Sequence, residues 1–270
     1  MGVRGAGAAP ESPGRQRSRG CFVLPRGGSW SLALVASPIQ ETRLSRVMSF
    51  DRIAPHYGWL ERVLAGGKLQ TMRTRWMEDF PEPRRALLAG EGHGRFLVPL
   101  LRTFPSVRIV FVDASSAMHT VARHRMKQAG FPETRVQFIQ AQLPHSDLAT
   151  GDFDLVVTHF FLDCFPPDQL NAVIGNLAGA STAQANWLLA DFCVPTSGLS
   201  RVRARWIIAI MYLFFRAATR LPARTLTSPD RLLNAQGFRL KRRCLAEWGL
   251  IHSDRWEREM VPKNPTSCTP

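Results

Sequence analysis

Apolar positions along the chain follow two rhythms, short continuous runs and stretches of helical spacing, and these alternate through most of the sequence. The runs predict strands over Arg84–Ala89, Arg108–Asp113, Val136–Ala141, Phe153–Thr158 and Asn186–Phe192. Between them the spacing predicts helices over Arg95–Phe104, Ser116–Gly130 and Pro167–Ala180. The second of these is capped by Ser115 or Ser116 and closed by Gly130. Ahead of the first strand, Phe50 to about Phe80 reads as helical, with apolar Ile53, Tyr57, Leu60, Val63, Leu64 and Leu69. Gly66-Gly67 interrupts it, so two helices are expected. After Pro195 the rhythm changes. Arg201–Leu221 reads as one long helix, and Ser228–Gln236 as a short one with Pro229 in its first turn and Gly237 at its end. Phe238–Leu250 reads as two strands or a hairpin. No internal repeat is visible. Strands alternating with helices predict an α/β fold, a doubly wound, mostly parallel sheet covered on both faces.

The junction of the first strand and its helix carries the chemistry. Ala89-Gly90-Glu91-Gly92-His93-Gly94 places glycine at every second position, and the second strand ends in Asp113. Strand, glycine loop, helix, strand and acid form the layout of a nucleoside-cofactor site, in which the acid can accept hydrogen bonds from ribose hydroxyls. Read as G-x-G-x-x-G, the last glycine position falls on Arg95. A long side chain there obstructs close packing of helix on strand, which argues against NAD or FAD. The G-x-G-x-G spacing instead suits S-adenosylmethionine.

Composition narrows the partners. Hydrophobic residues make up 45% of the 270 positions, enough for a substantial core. The formal charge is +14, mostly from arginine, so nucleic acid and anionic membrane surfaces are both candidate partners. Residues 1–47 hold seven arginines and two acids, are rich in Gly, Pro and Ser, and lack any sustained period. They are expected to be a disordered basic tail or a mis-assigned start. As a tail they could serve as a transit peptide or touch RNA or lipid; the preferred reading starts the protein at Met48. Residues 263–270 are expected to be a flexible tail. The five cysteines (Cys21, Cys164, Cys193, Cys244, Cys268) show no C-x-x-C, so neither a zinc site nor a disulfide framework is indicated. A reducing, cytoplasmic setting fits, and organellar targeting by residues 1–47 stays open. The longest apolar run, Trp206–Phe215, is short of the ~20 residues that span a bilayer.

From Phe50 to Trp248 the chain resembles a class I S-adenosylmethionine-dependent methyltransferase. Phe50-Asp51-Arg52-Ile53-Ala54-Pro55-His56-Tyr57-Gly58-Trp59-Leu60, followed by the basic stretch Arg73-Thr74-Arg75-Trp76, is similar to the amino-terminal helical segment of the ubiquinone/menaquinone C-methyltransferase group. The resemblance implies a Rossmann-like methyltransferase domain over 48–262 and S-adenosylmethionine as cofactor. It assigns Gly90, Glu91, Gly92, His93 and Gly94 to the cofactor loop, and Asp113, with Ala114 beside it, to the ribose. Met118 falls against the adenine, Gln140-Ala141 matches the pair that reads the adenine edge, and His159 sits beside the methionine moiety. Two positions depart from the group. Leu88 stands where an acid usually holds the methionine amino group, with Glu91 as candidate substitute. Gln140 is neutral where an acid is common, a mild change because the adenine amine needs only an acceptor.

Methyl transfer asks the protein to hold an acceptor close to the methyl carbon, exclude water and, for a hydroxylated ring, take up a proton. His159 is the candidate catalytic base, with His56 and Asp163 as further candidates and Tyr57 as a gate. His56, Tyr57, Phe161 and Asp163 are the expected substrate contacts. Each also has a plain structural reading: His159 a hydrogen-bonded strand-end histidine, Asp163 a cap for the helix near Pro167, Phe160 and Phe161 core, Asp191 the polar end of its strand. Trp206–Phe215, apolar all round, is expected to be a helix buried over the sheet. Its alternative role is a lid over an apolar acceptor, with Arg201, Arg203, Arg205, Arg216 and Arg220 meeting headgroups. The expected function is methyl transfer to a small, apolar or aromatic acceptor. The rivals are an RNA- or protein-directed methyltransferase and a non-catalytic scaffold of the same fold. Peripheral membrane contact is a candidate; nucleic acid is disfavoured by Thr158-His159-Phe160-Phe161, where a planar-amine motif would stand.

Overall fold

The computed structural model describes residues 67–144, 151–219 and 225–259, with isolated positions 2, 148 and 223. The expectations for residues 1–47, for the Phe50–Gly66 helix with His56 and Tyr57, for Arg220 and for residues 263–270 lie outside the described residues.

In chain order the elements are α1 (Lys68–Thr74), β1 (Arg85–Ala89), α2 (Leu97–Thr103), β2 (Arg108–Asp113), α3 (Ser116–Gln128), β3 (Val136–Gln140) and β4 (Phe153–His159). They continue with α4 (Pro167–Ala180), β5 (Ser181–Phe192), α5 (Gly198–Thr219), α6 (Asp230–Ala235), β6 (Phe238–Ala246) and β7 (Ile251–Arg258). The strands form one seven-stranded sheet in the order β3-β2-β1-β4-β5-β7-β6. β1 to β5 pair in parallel, and β7 runs antiparallel between β5 and β6. This is the doubly wound, mostly parallel architecture expected from the alternation of elements. The strand order reverses between β1 and β4, the point at which open α/β sheets bind ligands outside the strand ends.

Two boundaries differ from expectation. β5 begins at Ser181, where that residue pairs with Phe153, five positions before the apolar run. Thr182-Ala183-Gln184 are largely solvent-facing, so no burial rhythm announced them. The carboxyl-terminal hairpin is longer than Phe238–Leu250: β6 ends at Ala246 within that span, and its partner β7 lies beyond it. β7 reads Ile-His-Ser-Asp-Arg-Trp-Glu-Arg, polar at six of its eight positions, which hides a central strand. Asp254 is fully buried because Arg243 Nε and Nη2 donate to its two oxygens at 2.8 and 2.6 Å, and His252 Nδ1 lies 2.9 Å from Oδ2.

One core cluster gathers Leu88, Phe96, Leu97, Leu101, Phe111 and Leu155 with neighbours from α2, α3 and the first strands. A second lies beneath α5, where Ala204, Ile208 and Tyr212 meet Leu69 and Met72 of α1 and Leu250 and Ile251. The long helix is therefore not buried over the sheet as its all-round apolarity suggested. Only one face packs; Trp206, Ile210 and Leu213 on the other are 64–69% exposed.

Candidate active site

At the carboxyl ends of β1, β2, β4 and β5 the chain leaves an open cleft. Its floor is the glycine loop. Gly90 has φ +68°, and a methyl group in place of its hydrogen would overlap the Phe161 ring, so the residue is required both for the turn and for the approach of that ring. Gly94 has φ +69° and no room either, since an added Cβ would lie 2.9 Å from Ala122 Cβ of α3. The loop is fixed by Asp113: Gly92 N–H donates to its Oδ2 at 3.0 Å and Ser115 N–H to its Oδ1 at 2.9 Å. Ser115 in turn caps α3 by accepting from Met118 N–H at 3.1 Å, which sets the Met118 side chain into the cleft wall. A carboxylate offers about four acceptor sites, so Asp113 can hold the loop and still face a ligand hydroxyl from the cleft wall.

Glu91 lines the same floor and is buried, as is His159 at the end of β4. His159 Nδ1 lies 2.5 Å from Glu91 Oε1, and the His159 ring meets Phe96 edge to face at 4.7 Å. Neither Glu91 oxygen receives a well-formed hydrogen bond among the described residues. A buried carboxylate with acceptor capacity to spare, in a cleft beside a ribose-type acid, fits the ammonium of a nucleoside-linked amino acid.

The far end of the cleft is aromatic. Phe160, Phe161, Phe165, Phe192 and Phe215 line it with Met211 and Tyr212. Phe160 has φ +54°, a left-handed conformation that is costly for a bulky residue and here turns the chain out of β4. Its ring lies 5.3 Å from Phe192, with the Arg73 guanidinium 4.8 Å over it. Beneath these rings two acids sit together. Asp163, from the turn after β4, lines the cleft; Asp191, at the end of β5, lies behind it, only 2% exposed. Burial pushes the Asp163 carboxyl up to about 6, with Cys164 and Asp191 hydrogen bonding in opposition. Burial and the neighbouring Asp163 push Asp191 well above the carboxylate range. The N–H groups of Phe161 and Asp163 act against that rise but fall short of good hydrogen-bond geometry. Two carboxyls in one dry site hold a proton between them at neutral pH. Burial also lifts the Cys164 thiol and the Tyr212 phenol, so both stay protonated. Tyr212 O–H donates to the Asp163 carbonyl at 3.0 Å, tying α5 to the acid-bearing turn.

Of the residues singled out from sequence, Gly90, Glu91, Gly92, His93, Asp113, Ala114, Met118, Ala141, His159, Phe161 and Asp163 line one cleft. Gly94 does not; it packs the loop on α3. Gln140 does not either. Its Nε2 donates to Ala114 O at 3.2 Å, and the next residues, Ala141, Gln142 and Leu143, line the cleft instead. Leu88 is fully buried in the core, so an acid there would have no partner in the cleft. Asp163 caps nothing: α4 has no side-chain cap. Arg73 and Phe192 join the site without a sequence assignment, and Met211 and Phe215 join it from the segment whose alternative role is a lid. Phe192 and Asp191 carried a usable signal, since they end a strand parallel to β4 and therefore share its edge. Arg73 and the α5 residues reach the site only through tertiary packing.

The sheet order and the cleft at its strand ends are those of the Rossmann-like methyltransferase fold. Residues 86–181 match a family model described as a methyltransferase domain. The chain is 27% identical over 221 residues to a demethylmenaquinone methyltransferase of Deinococcus radiodurans, covering 73% of this chain and 86% of that protein. Among solved structures it is similar to a putative O-methyltransferase from Nostoc punctiforme PCC 73102, with TM-score 0.60 and 17% identity over 77% of this chain. It spans 59% of that protein's length. Magnesium protoporphyrin IX methyltransferase from Synechocystis PCC 6803, solved with bound SAH, aligns with TM-score 0.57 and 19% identity over 78% of this chain and 94% of that one. The chain carries a methyltransferase domain over residues 86–181 and uses S-adenosylmethionine as cofactor.

Proposed function

We propose that the chain methylates a small, apolar, aromatic acceptor bearing a hydroxyl, held between the glycine loop and the Phe160–Phe161–Phe192 rings. The observation behind this reading is the continuity of the cleft: polar backbone and two acids at one end, an aromatic cup over a buried acid pair at the other. S-adenosylmethionine supplies an activated methyl for in-line displacement. Asp113 would hold the ribose hydroxyls, Met118 and Ala141 the adenine, and Glu91 the methionine ammonium, its position fixed by His159. His159 is thereby a positioning residue in this reading, and the base is Asp163. Its raised proton affinity matches removal of a phenolic proton near neutrality, and Asp191 behind it shares that proton. The aromatic rings exclude water and orient a flat acceptor. The quinone methyltransferase relative and the O-methyltransferase fold neighbours lend support to a hydroxylated ring.

The test is transfer of label from methyl-labelled S-adenosylmethionine to a panel of phenols, hydroquinones and aliphatic alcohols, and separately to RNA and to protein. Label in the phenol or hydroquinone products is expected. Label in RNA or protein alone would overturn the reading, and calorimetry showing no cofactor binding would replace it with a scaffold.

A further inference from the structure

We propose that the outward face of α5 docks the molecule on an anionic lipid bilayer. Leu199, Val202, Trp206, Ile210, Leu213 and Phe214 are 44–86% exposed on this one 22-residue helix. At 100° per residue they fall on a single side, opposite the buried Ala204, Ile208 and Tyr212. Monomeric soluble proteins seldom expose so many large side chains contiguously. Trp248, 76% exposed, extends the patch, with the Arg203 guanidinium 5.6 Å from its ring.

Charge identifies the occupant. α5 carries Arg201, Arg203, Arg205 and Arg216 and no acid. The same helical geometry sets Arg205 and Arg216 on one flank of the apolar stripe, while Arg203 falls within its other margin, paired with Glu247. This is the arrangement of a helix lying in a membrane interface, its apolar face among acyl chains and its arginines reaching back to phosphates. A formal charge of +14 adds long-range attraction to an anionic surface. A second copy of the chain packed antiparallel fits poorly, because that two-fold contact would set the Arg205 and Arg216 flank against its own copy. RNA fits less well because four of the six stripe residues, Leu199, Val202, Ile210 and Leu213, are aliphatic and offer no stacking face. No described helix is long and apolar enough to cross a membrane, so α5 would lie on the bilayer rather than span it. The inference does not depend on the identity of the acceptor. It has a consequence for the site, since Met211, Tyr212 and Phe215 on the inner face of α5 wall the cleft, which places the bilayer directly behind its roof.

The experiment is cosedimentation of the full chain with phosphatidylcholine vesicles, either pure or carrying about one third phosphatidylglycerol. Binding to the anionic vesicles is expected, weaker in high salt and weaker on pure phosphatidylcholine. Trp206→Glu with Ile210→Glu should lower the partition coefficient at least about tenfold, and Arg205→Glu with Arg216→Glu several-fold, with cofactor binding by calorimetry retained. Trp206→Phe, which conserves the apolar face, should keep vesicle binding while reducing fluorescence quenching by brominated lipid. Wild-type protein that stays in the supernatant would overturn the proposal. So would a dimer, seen by sedimentation velocity, that Trp206→Glu dissociates without any vesicle binding, or retention on RNA in place of vesicles.

Discussion

Single residues decide what the cleft can hold. Gly90 combines a positive φ with a site where the first side-chain carbon would collide with Phe161. Gly90→Ala is expected to cost about 1–3 kcal/mol of stability and to abolish measurable cofactor binding, checked by chemical denaturation and calorimetry. Asp113 has two duties, since its carboxylate holds Gly92 and Ser115 as well as facing the cleft. Asp113→Ala should therefore loosen the loop and lose cofactor binding together. Asp113→Asn, which keeps one acceptor oxygen, should bind more weakly, by about tenfold or more, while melting closer to the native protein. The acid pair gives a pH dependence of definite sign. Because burial raises Asp163 to about 6 and pushes Asp191 up as well, the folded chain holds protons that the unfolded chain has released. Unfolding free energy should thus fall, by roughly 1–3 kcal/mol, as pH rises from about 4 through 7. Asp191→Asn should flatten that slope in denaturant titrations. Activity should run the other way, rising as Asp163 ionises near pH 6.

At the scale of elements, legibility followed the periodicity. β2 and α4 have the bounds that their apolar rhythm gives, and Ser115 caps α3 as its position before the helix implied. The glycine loop and Asp113 were readable because backbone geometry restricts residue choice at those points. The aromatic cup was not, because it is assembled from β4, β5 and α5, which are distant in sequence. Phe160 and Phe161 read equally well as core or wall until the left-handed turn at Phe160 was seen. The acid pair was half visible: each aspartate ends a parallel strand or follows it, yet their adjacency depends on β4–β5 pairing, His159 against Ala190. β7 was hidden by its own charges. Its Asp254 is tolerated because Arg243 bridges it to Asp230 of α6, with all three guanidinium nitrogens engaged. Removing that bridge with Arg243→Ala should cost about 3–5 kcal/mol, read from urea unfolding, since it leaves a buried carboxylate without its counter-charge.

At the scale of the molecule, the sheet supplies the glycine-loop end of the cleft, and α5 joins β4 and β5 to form its aromatic end. Ligand binding should therefore bridge the two. Saturation with S-adenosylmethionine at about a hundred times its dissociation constant should add roughly 2.7 kcal/mol, seen as a rise in melting temperature that Gly90→Ala lacks. The sheet itself carries a further implication. Its last strand in sequence is not its last strand in space: β7 slots between β5 and β6. During synthesis β5 therefore emerges with one margin unsatisfied, and it stays so until residues 251–258 have left the ribosome. The nascent chain cannot seal its barrier against aggregation from one end to the other, and a stalled or prematurely stopped product would present an open, strongly apolar edge to the quality-control machinery.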